Sequence, residues 1–277
     1  MTSADQFTTR VDAVAEQHSR LFGADSNDAP WTPSLARLFR FDPHRNLEPN
    51  LQMISQYVHG GDVFVDVGGG AGRVSLPLAL RCREAIAVDP SPAMGAEFDD
   101  SRREAGIANA RRIQADWMDA RDVTGDVVFS ADVTYFVRDI VPFVEKLVAA
   151  ARRRVMITLW SVSPPNDEAN LFELLYGEPM APVPGFRELL AVLWDLDILP
   201  DVLALPEPPW WEGDPIPTRE EAMRNALESV WVREDDIPRA EQVIASHFEQ
   251  LFSDEAGGFR PRWRQPSREL LITWATK

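Results

Sequence analysis

Apolar residues recur at helical spacing from the start of the chain. Phe7, Val11, Val14, His18 and Leu21 lie three or four positions apart, which predicts an amphipathic helix over residues 5–22 that ends at Gly23. A loop containing Ala29-Pro30-Trp31-Thr32-Pro33 follows, then short helical stretches around Leu35 to Phe39 and Pro49 to Val58. The pattern then changes to a continuous apolar run of strand length, Val63 to Val67, that stops at glycines. From there to about residue 160, strands at 63–67, 85–88, 112–114, 126–130 and 155–160 alternate with helices at 72–80, 92–105 and 141–151. Buried apolar strands separated by helices predict parallel βαβ units, an α/β protein with a doubly wound sheet.

Beyond Trp160 the texture differs. Of the 22 prolines, 11 lie between Pro164 and Pro217, interrupted by a helical stretch at Arg187 to Trp194 and a strand at Val202 to Leu205. Thr218-Arg219-Glu220-Glu221 has the spacing of a capping box, opening an amphipathic helix that runs to Val230. A second helix is predicted from Pro238 to Phe252, ended by Gly257-Gly258, and Glu269 to Trp274 reads as a final strand. The chain divides accordingly into an N-terminal helical cover (1–58), a core (59–206), a helical insertion (207–260) and a last core strand (261–277).

Charge narrows the partners. The chain has 28 Lys+Arg against 44 Asp+Glu, a net charge of −16, so phosphate backbones and anionic membrane surfaces would repel it. Nucleic acid and membrane are therefore not expected partners. The acidity is uneven: residues 161–260 carry about −15, residues 1–160 only about −4. One cysteine, Cys82, can make neither an internal disulfide nor a cysteine zinc site, so no metal is expected and a reducing compartment fits. The start has no basic stretch leading into an apolar run, and no segment approaches 18 uninterrupted apolar residues. These features predict a soluble cytoplasmic protein.

The stretch that carries chemistry is Val63-Phe64-Val65-Asp66-Val67-Gly68-Gly69-Gly70-Ala71-Gly72-Arg73. A strand that delivers a glycine-rich turn into a helix lets backbone approach a ligand closely. Dinucleotide sites want a third glycine at the position held here by Arg73 or, counted from Gly70, by Ser75. An acid at the strand's end, Asp66, would repel a pyrophosphate but suits a cationic ligand such as the amino group of a methionine moiety.

Asp66, Gly68, Gly70 and Gly72 in register resemble the first motif of the class I S-adenosylmethionine-dependent methyltransferase family. The resemblance extends over roughly residues 60–160. Ala85 to Met94 is similar to the family's second strand and its sequel. There the resemblance implies that Asp89 takes the ribose hydroxyls and that Met94 lies against the adenine. Ala115-Asp116-Trp117 is similar to the segment after the third strand, implying that Asp116 receives the adenine amino group. Asp126 to Val137 is similar to the fourth-strand motif, with backbone at Ser130 and Ala131 meeting the methionyl end. The implied cofactor set is Asp66, Gly68, Gly69, Gly70, Gly72, Asp89, Pro90, Met94, Asp116, Trp117, Ser130 and Ala131. Trp117 equally fits a core aromatic, and Tyr135 and Phe136 read as pocket wall or core rather than reacting groups. The implied fold is a mostly parallel seven-stranded Rossmann-like sheet with an antiparallel last strand, an N-terminal helical lid and a helical insertion.

The resemblance implies S-adenosylmethionine as cofactor and S-adenosylhomocysteine as product. Methyl transfer obliges no residue to act as a base, since the cofactor already carries the activated group. The candidates for one are His18, His247, Asp132 and Tyr135. His44 is a further histidine, and His59, just before the first strand, lies at the edge of the sheet opposite the ligand. After the fourth strand, Ser130-Ala131-Asp132-Val133 lacks the Asn/Asp-Pro-Pro-aromatic run of base-modifying relatives, and Cys82 is misplaced for a cytosine nucleophile. A small-molecule acceptor is the favoured reading. Two alternatives stay open: a catalytically lapsed binding protein acting through a partner, and a nicotinamide-dependent oxidoreductase. Trp31, Trp210, Trp211 and Trp231 fall in the cover, where they either line a pocket for a flat acceptor or pack the cover onto the core. Cover carboxylates facing that pocket would favour an amine acceptor.

Overall fold

The structure, a computed structural model, describes residues 1–23, 32–208 and 212–276. Trp31, Trp210 and Trp211 lie outside the described residues. The chain begins with helix α1 (Ser3–Phe22), closed at its start by a reciprocal Thr2–Asp5 cap and at its end by Gly23. Its apolar stripe faces inward, with Phe7 fully buried. Two short helices follow, α2 (Pro33–Arg37) and α3 (Pro49–Ser55), each with proline in its first turn, where the missing N–H has no helical partner to lose.

The core then alternates as β1 (Val63–Val67), α4 (Ser75–Ala79), β2 (Glu84–Val88), α5 (Pro92–Glu104), β3 (Ala110–Ile113), β4 (Gly125–Ala131), α6 (Ile140–Ala150) and β5 (Ala151–Trp160). All five residues of β1 are buried because it runs between β2 and β4 with packed layers on both faces, which is why its apolar run is continuous rather than alternating. Helix α4 is shorter than the predicted 72–80: Gly72 takes φ +83°, and the chain turns helical only at Ser75.

Three helices come next, α7 (Pro164–Asp167), α8 (Ala169–Tyr176) and α9 (Phe186–Asp195), then β6 (Asp201–Ala204) and α10 (Arg219–Ser229). The Thr218 hydroxyl accepts the Glu221 N–H at 3.1 Å, as its spacing predicts. The helix predicted over 238–252 is corrected. It divides into α11 (Ile237–Ser246) and α12 (Phe248–Leu251), and Phe252 opens a small hairpin of β7 (Phe252–Glu255) and β8 (Gly258–Pro261). Gly257 and Gly258, with φ of +104° and +147°, make the hairpin turn rather than a helix end. Strand β9 (Glu269–Ala275) completes the main sheet.

The seven main strands lie in the order β3-β2-β1-β4-β5-β9-β6. Strands β1 to β5 run parallel to one another, and β9 runs antiparallel to both β5 and β6. Apolar clusters fill the two faces of this sheet; a third joins Leu171, Phe172 and Leu175 of α8 to Ala226, Ile244, Phe248 and Trp263 of the segment before β9. Under that third cluster, Arg264 sits 2.6 Å from Glu168 and 3.6 Å from Asp167, all three poorly exposed. No helix among the described residues is long and apolar enough to cross a membrane.

Candidate active site

In this strand order the chain reverses direction of winding between β1 and β4, and the crevice beyond their carboxyl ends is where ligands sit in open α/β sheets. A cleft of about 390 Å³ occupies that place. Its floor is the glycine turn. The Gly68 N–H donates to Val88 O at 2.8 Å, pinning the turn to the end of β2. Gly68 and Gly70 both hold positive φ, +75° and +51°, a backbone that other residues adopt only under strain. A Cβ at Gly70 would meet Met94 Sδ at 3.6 Å and Gly68 O at 4.0 Å, ordinary contacts, so it is the positive φ rather than crowding that favours glycine there.

Three carboxylates from three adjacent strands converge on the cleft: Asp66 in β1, Asp89 just after β2 and Asp132 just after β4. Asp66 is buried, which lifts its pKa to about 6 against the opposing pull of Ser75 and Arg73. Asp89 accepts the Gly70 N–H at 3.0 Å and the Ser91 N–H at 2.8 Å, and burial raises its pKa too. Asp132 sits in the left-handed region with φ +56°, held by its own N–H on Thr158 O at 3.0 Å. Burial, with the charge of Glu269 behind it, pushes Asp132 up to about 7. Sparse backbone conformations of this kind collect at functional sites.

Of the sequence-predicted residues, Asp66, Gly68, Gly69, Gly70, Asp89, Pro90, Met94 and Ala131 line the cleft together with Asp132. Gly72 lies outside its wall, where an added Cβ would strike Leu76 and Phe98. Ser130 is fully buried, its hydroxyl donating to Val67 O at 3.1 Å. Asp116 and Trp117 do not reach the cleft wall. Asp116 is exposed and accepts the Met118 N–H at 2.7 Å. The Trp117 ring is buried in the core, and Lys146 of α6 bonds to the carbonyls of residues 117, 118 and 120 and lies 4.9 Å from the indole.

The weak base candidates separate. Tyr135 is buried below Asp132, and its pKa is raised by burial and by that carboxylate. His247 lies at the junction of α11 and α12, its Nδ1 2.9 Å from Val243 O, away from the cleft. His44 is exposed, with Nε2 2.9 Å from Ala105 O. His18 faces a second cavity instead, lined also by Trp231. Sequence reasoning missed Phe39, Ala71, Arg73, Val74 and Val133 as cleft wall. Ala71 and Arg73, in and directly after the glycine turn, and Val133, directly after Asp132, had a positional signal; Phe39 had none.

Residues 65–156 match a family model described as a methyltransferase domain. A comparison with curated protein sequences finds no match. The chain is similar in structure to YcgJ of Bacillus subtilis, with 13% identity and a TM-score of 0.55 over 82% of this chain and 98% of that one. It is similar also to the BH2331 protein of Bacillus halodurans, with 11% identity and a TM-score of 0.54 over 81% and 96%. Those likenesses concern the fold, while the family match spans the glycine turn, Asp66, Asp89 and the strands that present them. The acids and the glycine turn thus lie in a stretch, residues 65–156, that matches a methyltransferase domain, on a fold shared with those two structures.

Proposed function

We propose that this protein transfers a methyl group from S-adenosylmethionine to a small-molecule acceptor. The observation that carries the reading is the convergence of Asp66, Asp89 and Asp132 with the Gly68–Gly70 backbone on one cleft. That donor set fits the cofactor: carboxylates for a cationic amino acid end and for ribose hydroxyls, and glycine backbone that lets the ligand lie close. When bound, S-adenosylmethionine supplies an activated methyl group on a sulfonium, set for in-line transfer. Asp66 is read as the partner of the ammonium group, Asp89 of the ribose hydroxyls, and Pro90 and Met94 as the surface along the adenine. A pyrophosphate in the same place would face three acids, which speaks against a nicotinamide cofactor.

The acidic surface supports an acceptor other than nucleic acid, and the lone buried Cys82 fits a cytoplasmic setting. Calorimetric titration with S-adenosylhomocysteine and with NAD tests the reading. Binding of the former is expected; binding of NAD alone would overturn it. Turnover with a panel of small acceptors then separates an active enzyme from a lapsed one.

A further inference from the structure

A second cavity, of about 170 Å³, lies between α1, α8 and the end of α10, and Phe136 stands in its wall as well as in the wall of the cleft. Rings dominate it. His18 packs against Phe22 at 4.8 Å and edge-on to Trp231 at 4.9 Å between centroids, and Phe172 closes another side. The polar side chains of the wall are turned onto the protein itself. Gln17 Nε2 donates to Glu178 Oε1 at 3.0 Å and to Pro179 O at 2.9 Å, and its Oε1 accepts the Ala181 N–H at 2.7 Å. Glu168 is the carboxylate in this wall. Its Oε1 lies 2.6 Å from Arg264, and its Oε2 accepts Trp263 Nε1–H at 2.8 Å and the Ser229 hydroxyl at 3.0 Å.

We propose that this cavity is the acceptor pocket of the methyl-transfer site and that it selects a compact, flat, uncharged molecule. The assignment rests on the methyl-transfer reading of the adjoining cleft. A cation entering here would shed its water and find the one carboxylate already holding Arg264, Trp263 and Ser229; an anion would meet no cationic side chain among the described residues of the wall. An uncharged ring system loses little hydration and gains the faces of Phe22, Phe172 and Trp231. Burial holds the His18 pKa below the ordinary imidazole value, which disfavours its charged form. The volume is below the roughly 300–1,000 Å³ of sites for drug-sized ligands, which limits the acceptor to one or two rings. The acidity of the cover therefore does not translate into an amine pocket.

The test uses the full-length protein, saturated with S-adenosylhomocysteine, and three probes of one shape: naphthol, naphthoate and naphthylmethylammonium. Calorimetry is expected to show naphthol binding at least about tenfold more tightly than either ion. Ala181→Trp, which fills the cavity from a loop, is expected to weaken naphthol by at least about tenfold while S-adenosylhomocysteine binding stays within about twofold. Equal or tighter binding of either ion, no binding of naphthol, or an Ala181→Trp protein that binds both ligands as before overturns the proposal. The probe ranking needs no variant, so it stands if Ala181→Trp fails to fold. Failure of S-adenosylhomocysteine itself to bind would sink the methyl-transfer reading, and the acceptor assignment with it.

Discussion

The Tyr135 hydroxyl donates to Asp132 Oδ1 at 3.2 Å and accepts the Trp160 N–H at 2.8 Å. One phenol thus ties the residue that leaves β4 in a left-handed conformation to the end of β5. Tyr135→Phe removes both bonds and leaves a partly buried N–H unanswered, at a cost of about 2 kcal/mol. Denaturant unfolding measures it: the midpoint should fall with an unchanged slope. An unaltered midpoint would mean that water replaces the hydroxyl.

Asp66 gives the stability of the ligand-free protein a pH dependence whose sign follows from its burial. Unfolded, it ionises near the ordinary 3.8; folded, near 6. Between those values the folded protein holds a proton that the unfolded chain has released, so stability falls as pH rises through the window and levels off above it. Asp66→Asn removes this loss. The variant is expected to gain about 1–3 kcal/mol at pH 8, with the gain vanishing towards pH 4, while binding of S-adenosylhomocysteine collapses. Urea titrations of both proteins at the two pH values decide it; a gain that is the same at both would refute the assignment.

Asp89→Ala should weaken S-adenosylhomocysteine by about 1.5–3 kcal/mol, the scale of charged hydrogen bonds. Because Asp89 also holds the Gly70 and Ser91 N–H groups, Asp89→Asn is the companion variant. It keeps a side-chain oxygen for one of those two donors, which bond to different carboxylate oxygens, and should still bind S-adenosylhomocysteine more weakly than the wild type. If calorimetry returns the wild-type dissociation constant for both, the ribose assignment is wrong.

Gly68→Ala brings two separable penalties. A Cβ there would lie 2.3 Å from Val133 Cγ2, and the backbone holds φ +75°. The single variant is expected to lose about 2–4 kcal/mol, combining overpacking with left-handed strain. Gly68→Ala with Val133→Ala should recover the overpacking part and retain a loss of about 1 kcal/mol from the backbone. Thermal unfolding of the three proteins reads the difference; no recovery in the double variant would show that the contact is not what matters.

The sheet was legible because its signals are local. Val63–Val67 is an apolar run bounded by glycines, and it forms β1 with those same limits. Where two structures share one periodicity, legibility failed. Ile244, Phe248, Leu251 and Phe252 keep helical spacing and all enter one apolar cluster, yet the helix stops at Leu251 and the same burial is completed by a strand. The site was legible where backbone conformation dictates residue type, as at Gly68 and Gly70, and at acids ending β-strands. Trp117 was ambiguous because its burial comes from an apolar cluster that gathers residues distant in sequence, among them Val65, Val128 and Phe143. The second cavity was signalled only at His18 and Trp231, since the rest of its wall is drawn from α1, α8 and the end of α10, which only the fold brings together.

Phe136, common to the cleft and the apolar cavity, has a thermodynamic consequence. A ligand that fixes this ring on one side removes rotamer freedom that a ligand on the other side would otherwise have to remove. The two binding equilibria are then linked, and by reciprocity each ligand tightens the other by the same factor. Shortening the ring to alanine would uncouple them, so that two linked binding events become two independent ones.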